Sequence, residues 1–252
     1  MRDLSIIENS KTESLLLADY VRTHFSQCDC ISILEAGCGQ SWALDLNGIE
    51  YSLTGIDIDE DALALRKENF DDLDNTIIGD LRTLDLPDKQ YDLIYNAFVL
   101  EHIEDAEKVL NNFYRWLKPN GLLILKIPDR DSVYGFLARN TPHWSHILFY
   151  RHIKNCLHAG QPGYAPYPVI YDDSISRSGI RNFCKKYDLE LIKELGKNNY
   201  IKEKQVTGWL VKYSAMLMSI CSLGYLSWRH NDLVFIIRKK ATGPNLSTTP
   251  TI

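Results

Sequence analysis

The residues best suited to ligand chemistry lie between Ile33 and Ser41, which read Ile-Leu-Glu-Ala-Gly-Cys-Gly-Gln-Ser. The apolar start predicts a buried strand, and Gly37 and Gly39 allow the backbone to turn sharply and to approach a ligand closely. Glu35 stands where the strand ends, and a carboxylate there can accept hydrogen bonds from hydroxyls or attract a cationic group. This stretch therefore predicts a turn that cradles a ligand of nucleotide size.

The residue after this turn argues against a dinucleotide. A dinucleotide-binding turn ends in a small third residue, which lets the following helix pack against the strand and point its N-terminus at a pyrophosphate. Trp42 occupies that position here, and its indole is too large for such packing. The spacing therefore disfavours a nicotinamide-dependent oxidoreductase.

Two aspartates follow the next predicted strand, Tyr51 to Ile56. Asp57 lies about 20 positions beyond the glycines, where nucleoside-binding α/β folds place the carboxylate that holds ribose hydroxyls. Asp59 stands where it can cap a helix predicted from Ala62 to Phe70. We assign the ribose contact to Asp57 and the cap to Asp59; the alternative is that Asp57 or Asp59 merely caps the helix.

Two further polar residues end predicted strands. Asp80 follows the apolar run that starts at Thr76, and Asn96 follows the strand Tyr91 to Tyr95. Open α/β sheets bind their ligands beyond the carboxyl ends of their strands, so Asn96 is expected near the reacting groups. Asp80 can accept a hydrogen bond from an exocyclic amine, or it can simply form a turn at the strand end.

The stretch from Glu35 to Ser41 resembles the Glu/Asp-x-Gly-x-Gly-x-Gly loop of the class I S-adenosylmethionine-dependent methyltransferases, with Ser41 in place of the third glycine. Val99 to Asp105 contains Leu-Glu-His, which resembles a stretch of many small-molecule and quinone-type members of that class. The Asn/Asp-Pro-Pro-Tyr/Phe motif of members that methylate nucleic-acid bases is missing after Tyr95. The resemblance implies S-adenosylmethionine as cofactor, bound by Glu35, Ala36, Gly37, Cys38, Gly39, Asp57, Ile58, Asp80, Leu81 and Asn96.

Strands and helices alternate over the first half of the chain, which predicts a parallel sheet with helices on both faces. Helices are predicted over residues 10–27, 42–46 and 106–117, and a fifth strand over 122–127. The fold class is a doubly wound, mostly parallel α/β sheet of seven strands, whose last strand the resemblance implies to be antiparallel. We expect one domain over residues 1–240 and a polar, disordered tail over 241–252.

Residues 128–173 lack clear periodicity and are rich in aromatic, histidine, proline and glycine residues, which predicts a lid-like insertion that selects the acceptor. The alternative is a packed loop without a ligand. Proton removal from an oxygen acceptor suits a histidine, and His102, His143 and His146 are the candidates. Each of them can instead be a structural histidine with satisfied hydrogen bonds. No metal is required for this chemistry.

Residues 206–228 are the most apolar part of a helical insertion predicted over 200–229. Lys212 and several serines interrupt the apolar run. We favour a packed or lid helix over a helix on a membrane surface, and both over a spanning helix, because the segment lies between two strands of the sheet.

Composition limits the partners and the compartment. The formal net charge is -5, and no run of lysine and arginine indicates nucleic acid. Six cysteines without an apolar signal sequence favour a cytoplasmic protein with reduced thiols. The predicted function is O-methylation, with methyl transfer from S-adenosylmethionine to a small-molecule or glycan-type acceptor. The alternatives are a noncatalytic S-adenosylmethionine-binding module and a nicotinamide-dependent oxidoreductase. The oligomeric state is not predicted.

Overall fold

The computed structural model describes residues 4–152, 155–161, 166–198 and 206–241. These residues form one eight-stranded sheet. Its strands are β1 (Ser5–Ile7), β2 (Cys30–Ala36), β3 (Glu50–Asp57), β4 (Asn75–Ile78), β5 (Tyr91–Ala97), β6 (Leu117–Pro128), β7 (Leu189–Lys197) and β8 (Asp232–Lys239). Their order across the sheet is β1-β7-β8-β6-β5-β2-β3-β4, so the glycine turn follows a central strand.

The sheet is parallel except at β8, which runs antiparallel to both β6 and β7. This confirms the predicted mostly parallel α/β fold with an antiparallel last strand. The sheet has one strand more than predicted, because Ser5–Ile7 pairs with β7 at the edge. Three residues are too few to show the alternation that identifies a strand in a sequence.

Seven helices are described: α1 (Ser10–His24), α2 (Glu60–Asn69), α3 (Ala106–Trp116), α4 (Val133–Asn140), α5 (His143–His152), α6 (Arg177–Lys186) and α7 (Val206–Cys221). Leu17 and Val21 of α1 join one apolar cluster with β2 and β6. Phe113 of α3 and Phe183 of α6 join a second cluster with side chains from the same strands. Because the side chains of a strand alternate between faces, helices cover both faces of the sheet.

The prediction of a helix over residues 42–46 is wrong, because the structure has no helix there. The chain there is neither helix nor strand, with Leu44 and Leu46 buried at alternate positions and Asp45 exposed between them. The side chain of Asp45 accepts a hydrogen bond from the Asn47 amide at 3.2 Å, which favours a turn over a continuing helix. Two buried leucines separated by one residue suit an extended segment better than a helical face.

The insertion after β6 contains two helices, although its sequence lacked clear periodicity. Ser132 caps α4 through the Gly135 amide, whereas none of the side chains of α5 is buried. Within the ranges given above, no helix combines the length and the apolar character needed to cross a membrane. The tail predicted over 241–252 lies, beyond its first residue, outside the described residues, as does part of the insertion predicted over 200–229.

Candidate active site at the carboxyl edge of the sheet

The glycine turn after β2 is held by the neighbouring strand. The Gly37 amide donates to the Ile56 carbonyl at 2.8 Å, and the Gly39 amide donates to Asp57 Oδ2 at 2.8 Å. Asp57 Oδ1 accepts from the Asp59 amide at 3.0 Å. Gly37 and Gly39 have φ of 72° and 53°, a region that favours glycine. The carboxylate of Asp57 therefore shapes the turn and remains half-exposed beside it.

The two glycines have different surroundings. A Cβ on Gly37 would lie 2.3 Å from Val99 Cγ2, whereas a Cβ on Gly39 would meet no atom within 4 Å. The turn is thus closed towards Val99 and open at Gly39, as a cradle for a ligand would be. Val99 directly precedes a single-turn 3₁₀ helix, Leu100–His102, so the Leu-Glu-His stretch starts against the glycine turn.

Glu35 lies beneath the turn, in contact with an arginine that sequence reasoning missed. Arg66 of α2 is fully buried, and its Nη1 donates to Glu35 Oε2 at 2.7 Å and to the Cys38 carbonyl at 3.0 Å. Its Nε and Nη2 donate to both oxygens of Asp72. Arg66 therefore ties α2 to the glycine turn through a buried network, and Glu35 is 5% exposed.

Burial governs the ionisation of Glu35. The loss of solvent raises its pKa to about 8, although the positive charge of Arg66 pulls the pKa down. Arg66 keeps its charge, since Asp72 forms a two-pronged ion pair with the same guanidinium. Burial therefore favours the protonated form of Glu35, while the Arg66 guanidinium favours the ionised form.

The strand end at β4 carries a second ion pair. Asp80 accepts from Arg82 through both carboxylate oxygens, with Arg82 Nη2 at 2.6 Å from Oδ2. The Arg82 hydrogen bonds hold the pKa of Asp80 below its usual value, so its carboxylate stays an acceptor. The next residue, Leu81, is buried. An incoming amine would share the Asp80 carboxylate with Arg82.

Asn96 is fully buried at the end of β5. Its Nδ2 donates to the Ala36 carbonyl at 2.8 Å, which joins the ends of β5 and β2. Its Oδ1 has no hydrogen-bond partner among the described residues. In this structure Asn96 braces the backbone that leads into the glycine turn.

Three large apolar side chains are exposed along the same edge of the sheet. Ile58 follows β3 and is 70% exposed, Ile78 ends β4 and is 55% exposed, and Phe98 follows β5 and is 37% exposed. Exposed apolar groups beside carboxylates suit a ligand with a flat ring and hydroxyls. With the open space at Gly39 and the half-exposed Asp57, these residues fit S-adenosylmethionine.

His102 lies at the end of the 3₁₀ helix, next to this edge. Its Nδ1 is 2.7 Å from the Pro168 carbonyl, which can only accept, so Nδ1 carries the proton. In the neutral ring Nε2 is then an acceptor, 3.8 Å from Glu101 Oε1. Burial lowers the pKa of His102, which keeps the ring neutral and able to take a proton.

The other two candidate histidines lie together on α5. Their rings are 5.9 Å apart, and His146 Nε2 is 2.8 Å from Thr141 Oγ1. Thr141 already donates its hydroxyl proton to the Leu137 carbonyl, so His146 Nε2 must be the donor. Burial and the neighbouring His143 lower the pKa of His146. The described contacts join neither histidine to the glycine turn.

A buried polar group at the ends of β6 and β8 was not predicted. His230 Nε2 is 2.7 Å from Asp129 Oδ2, and its Nδ1 is 3.1 Å from Ser227 Oγ. Glu101 is 3% exposed, and its Oε2 lacks a hydrogen-bond partner among the described residues. Burial raises the pKa of Glu101 to about 8. Only the Leu-Glu-His stretch hinted at this group, because His230 and Asp129 are distant in sequence.

The comparisons with known proteins agree with this geometry. Residues 34–125 match a family model described as a methyltransferase domain. Over these residues the chain is therefore similar to the S-adenosylmethionine-dependent methyltransferases. The predicted family is confirmed, and S-adenosylmethionine is the methyl donor that it implies. The matched residues include the glycine turn, Asp57, Asp80 and the whole of β5.

Two relatives define how far the sequence similarity extends. A Mycolicibacterium smegmatis protein assigned as an S-adenosylmethionine-dependent methyltransferase is 31% identical over 46% of this chain and 44% of its own length. The ubiquinone biosynthesis O-methyltransferase of Rickettsia bellii is 27% identical over 52% of this chain and 61% of its own length. The matched part is thus less than two thirds of each relative.

Solved structures show the same fold over nearly the whole chain. A protein of Galdieria sulphuraria assigned as a sarcosine dimethylglycine methyltransferase has a TM-score of 0.57 at 15% identity, covering 90% of this chain and 85% of that one. The [4+2]-cyclase SpnF has a TM-score of 0.54 at 12% identity, covering 90% of this chain and 80% of that one. At these identities the likeness concerns the fold alone.

Proposed function

We propose that this protein transfers the methyl group of S-adenosylmethionine to a small-molecule or glycan-type acceptor, at an oxygen atom. The observation that carries the proposal is the open glycine turn beside Asp57 within the region that matches the methyltransferase family. The Rickettsia bellii relative, named as an O-methyltransferase, supports oxygen as the acceptor atom. When bound, the cofactor supplies a methyl group on a sulfonium with a good leaving group.

The residues of this chain have separate tasks in the proposal. Asp57 and Asp80 hold the cofactor through their carboxylates, with Ile58 against its ring, while the buried Glu35 supports the turn through Arg66. His102 takes the proton of the acceptor hydroxyl at Nε2. The contact of α4 with α7 supports a cover, formed by residues 128–173 and 206–228, that excludes water from the acceptor.

Binding of the cofactor is tested with two neighbouring aspartates. Asp57→Ala is expected to weaken S-adenosylmethionine binding by about 1–3 kcal/mol, the range for hydrogen bonds to a charged group. Asp59→Ala is the matched control, because Asp59 caps α2 through the Ala62 amide at 3.1 Å and should cost stability without changing affinity. Titration calorimetry measures both affinities, with a nicotinamide dinucleotide as the competing ligand.

Two outcomes would contradict this assignment. Binding of the nicotinamide dinucleotide in place of S-adenosylmethionine would indicate a nicotinamide-dependent oxidoreductase. That class is disfavoured further because no helix begins within residues 40–46, where a pyrophosphate would need one. An Asp57→Ala protein that loses stability but keeps its affinity would make Asp57 a structural residue.

Two experiments distinguish catalysis from cofactor binding: a search for a labelled product and the kinetics of a His102 variant. Labelled S-adenosylmethionine incubated with extracts of the host is expected to yield one labelled small molecule; binding without any labelled product would identify a noncatalytic module. His102→Gln should lower kcat about 100-fold or more, the contribution typical of a general base, and leave cofactor affinity unchanged.

The control for His102 is His24→Gln. His24 Nε2 also contacts a backbone carbonyl, at 2.8 Å from Asn120, but it lies at the end of α1. It should leave kcat unchanged. The wild-type rate should stay high at a pH of about 6.5, the ordinary pKa of histidine, and fall only at lower pH, because burial lowers the pKa of His102. An unchanged kcat in His102→Gln would mean that His143, His146 or another group is the general base.

A further inference from the structure

The helix α7 is turned with its large apolar side chains towards the outside. Among its described side chains, Ala215 and Ser219 are the buried ones, at 4% and 9% exposure. Its exposed side chains include Trp209 at 61%, Leu210 at 67%, Tyr213 at 47%, Met216 at 38%, Leu217 at 62% and Ile220 at 62%. A helix on a water-facing surface buries its large apolar residues and exposes its small polar ones. α7 does the reverse.

The exposed residues form one continuous face. At 3.6 residues per turn, the six side chains from Trp209 to Ile220 fall within an arc of about 120°. The turn after the helix extends this apolar surface, with Leu223 at 87% and Tyr225 at 74% exposure. α4, against which α7 packs, adds Phe136 at 37% and Leu137 at 39%. We call the exposed side chains of α7 and its turn the α7 face.

The charged side chains of the segment that carries the α7 face have one sign. Residues 206–231 contain Lys212 and Arg229 and no aspartate or glutamate, in a chain whose formal net charge is -5. Lys212 Nζ lies 6.0 Å from the centre of the Trp228 ring, and the Trp209 and Tyr213 rings are 4.1 Å apart. Apolar residues with tryptophan, tyrosine and lysine at their border are typical of helices that lie in a membrane interface.

We propose that the α7 face docks on the surface of an anionic lipid bilayer. A bilayer accepts the broad apolar arc in its acyl boundary, and its negative headgroups attract Lys212. A two-fold contact with a second copy of this chain would instead bring two copies of Lys212 into one apolar interface. Charge complementarity therefore favours the lipid surface over a dimer.

Docking would bring the carboxyl edge of the sheet close to the lipid. The Val133 amide donates to the Ser227 carbonyl at 2.8 Å, and the Asp129 amide donates to the Asn231 carbonyl at 2.7 Å. These bonds fix the segment after α7 to the end of β6, at the edge where the glycine turn also lies. The inference does not depend on the proposed function, because lipid binding is measured without any methyl acceptor.

The test uses the full chain and sucrose-loaded vesicles of phosphatidylglycerol with phosphatidylethanolamine, compared with phosphatidylcholine alone. The wild type is expected to sediment with the anionic vesicles, and less with the neutral ones or in high salt. Leu217→Glu together with Ile220→Glu should reduce the bound fraction about tenfold or more. Leu15→Glu together with Leu65→Glu is the matched control, because these leucines of α1 and α2 are 54% and 43% exposed.

Every outcome decides the proposal. Since Leu217 and Ile220 are exposed, the double variant should melt as the wild type does, and circular dichroism checks this. Equal sedimentation of the wild type and the Leu217/Ile220 variant would overturn the proposal. The same holds if the wild type does not sediment with anionic vesicles. A dimer, measured by light scattering, that the same two substitutions dissociate without any vesicle binding would assign the face to a second copy.

Discussion

Arg66 is the residue on which the candidate site depends most. Its side chain is fully buried and contacts Glu35, Asp72 and the Cys38 carbonyl, so a single guanidinium supports the turn from below. Replacing one partner of a buried ion pair leaves an uncompensated charge, which is costly. Its loss should therefore affect both stability and cofactor binding.

Arg66→Met is expected to lower the free energy of unfolding by about 3–5 kcal/mol, measured by urea denaturation. Arg115→Met is the control, since Arg115 also contacts two aspartates, Asp85 and Asp88, but is 46% exposed. Solvent screens exposed ion pairs, so this variant should unfold at the wild-type urea concentration. Equal loss in the two variants would show that burial does not decide the effect.

Sequence reasoning found the acids of the site but not all of their roles. Asp59 caps α2 as predicted, because a cap depends on residues close in sequence. Glu35 was expected beside the ligand, yet it contacts Arg66, which lies 31 positions further along the chain. No local pattern signals such a pairing. The ligand contacts of Asp57, Asp80 and Asn96 stay predictions.

The strand–turn–3₁₀ unit around Gly37 makes the site sensitive to one methyl group. A Cβ at Gly37 would meet Val99 Cγ2 at 2.3 Å, in a backbone with φ of 72°. Gly37→Ala is expected to weaken S-adenosylmethionine binding more than about tenfold, because strain and collision together displace the turn. Calorimetry is the measurement.

Two further variants separate collision from strain. Gly37→Ala with Val99→Ala removes the collision and should recover part of the affinity. Gly48 has φ of 93°, and a Cβ there would meet no atom within 4 Å. Gly48→Ala should therefore cost about 1–3 kcal/mol of stability through strain and leave the affinity for S-adenosylmethionine unchanged. A Gly37→Ala protein that binds as the wild type does would mean that the turn is not part of the cofactor site.

Elements with a strong local pattern were predicted, and elements decided by distant contacts were not. The apolar face of α3 identified it from sequence, and its Val109, Leu110 and Phe113 are fully buried. β1 has only three residues and depends for its pairing on β7, where Leu195 lies 190 positions beyond its partner Ser5. The short apolar run at 42–46 predicts a helix where the structure has an irregular segment, because apolar residues in a short run fit either period.

The whole fold brings carboxyls into its interior, and this makes its stability depend on pH. Burial raises the pKa of Glu101 from 4.5 to about 8, so the folded protein binds a proton that the unfolded chain releases between these values. This contribution to stability is complete below pH 4.5 and is lost as the pH rises through about 8. Glu35 adds to the same trend, since burial raises its pKa to about 8 as well.

Glu101→Gln isolates one of these carboxyls, because glutamine imitates the protonated form. Relative to the wild type, the variant should gain at least about 1 kcal/mol of unfolding free energy between pH 5 and pH 8, since the wild type alone must ionise a buried acid. Glu104→Gln, at an exposed position three residues further along, is the control. Its unfolding free energy should change with pH as that of the wild type does. Both differences are measured by urea denaturation across this pH range. The contribution of Glu35 is common to all three proteins and cancels, so parallel curves for Glu101→Gln and the wild type would mean that Glu101 is ionised in the folded protein and has a partner for its charge.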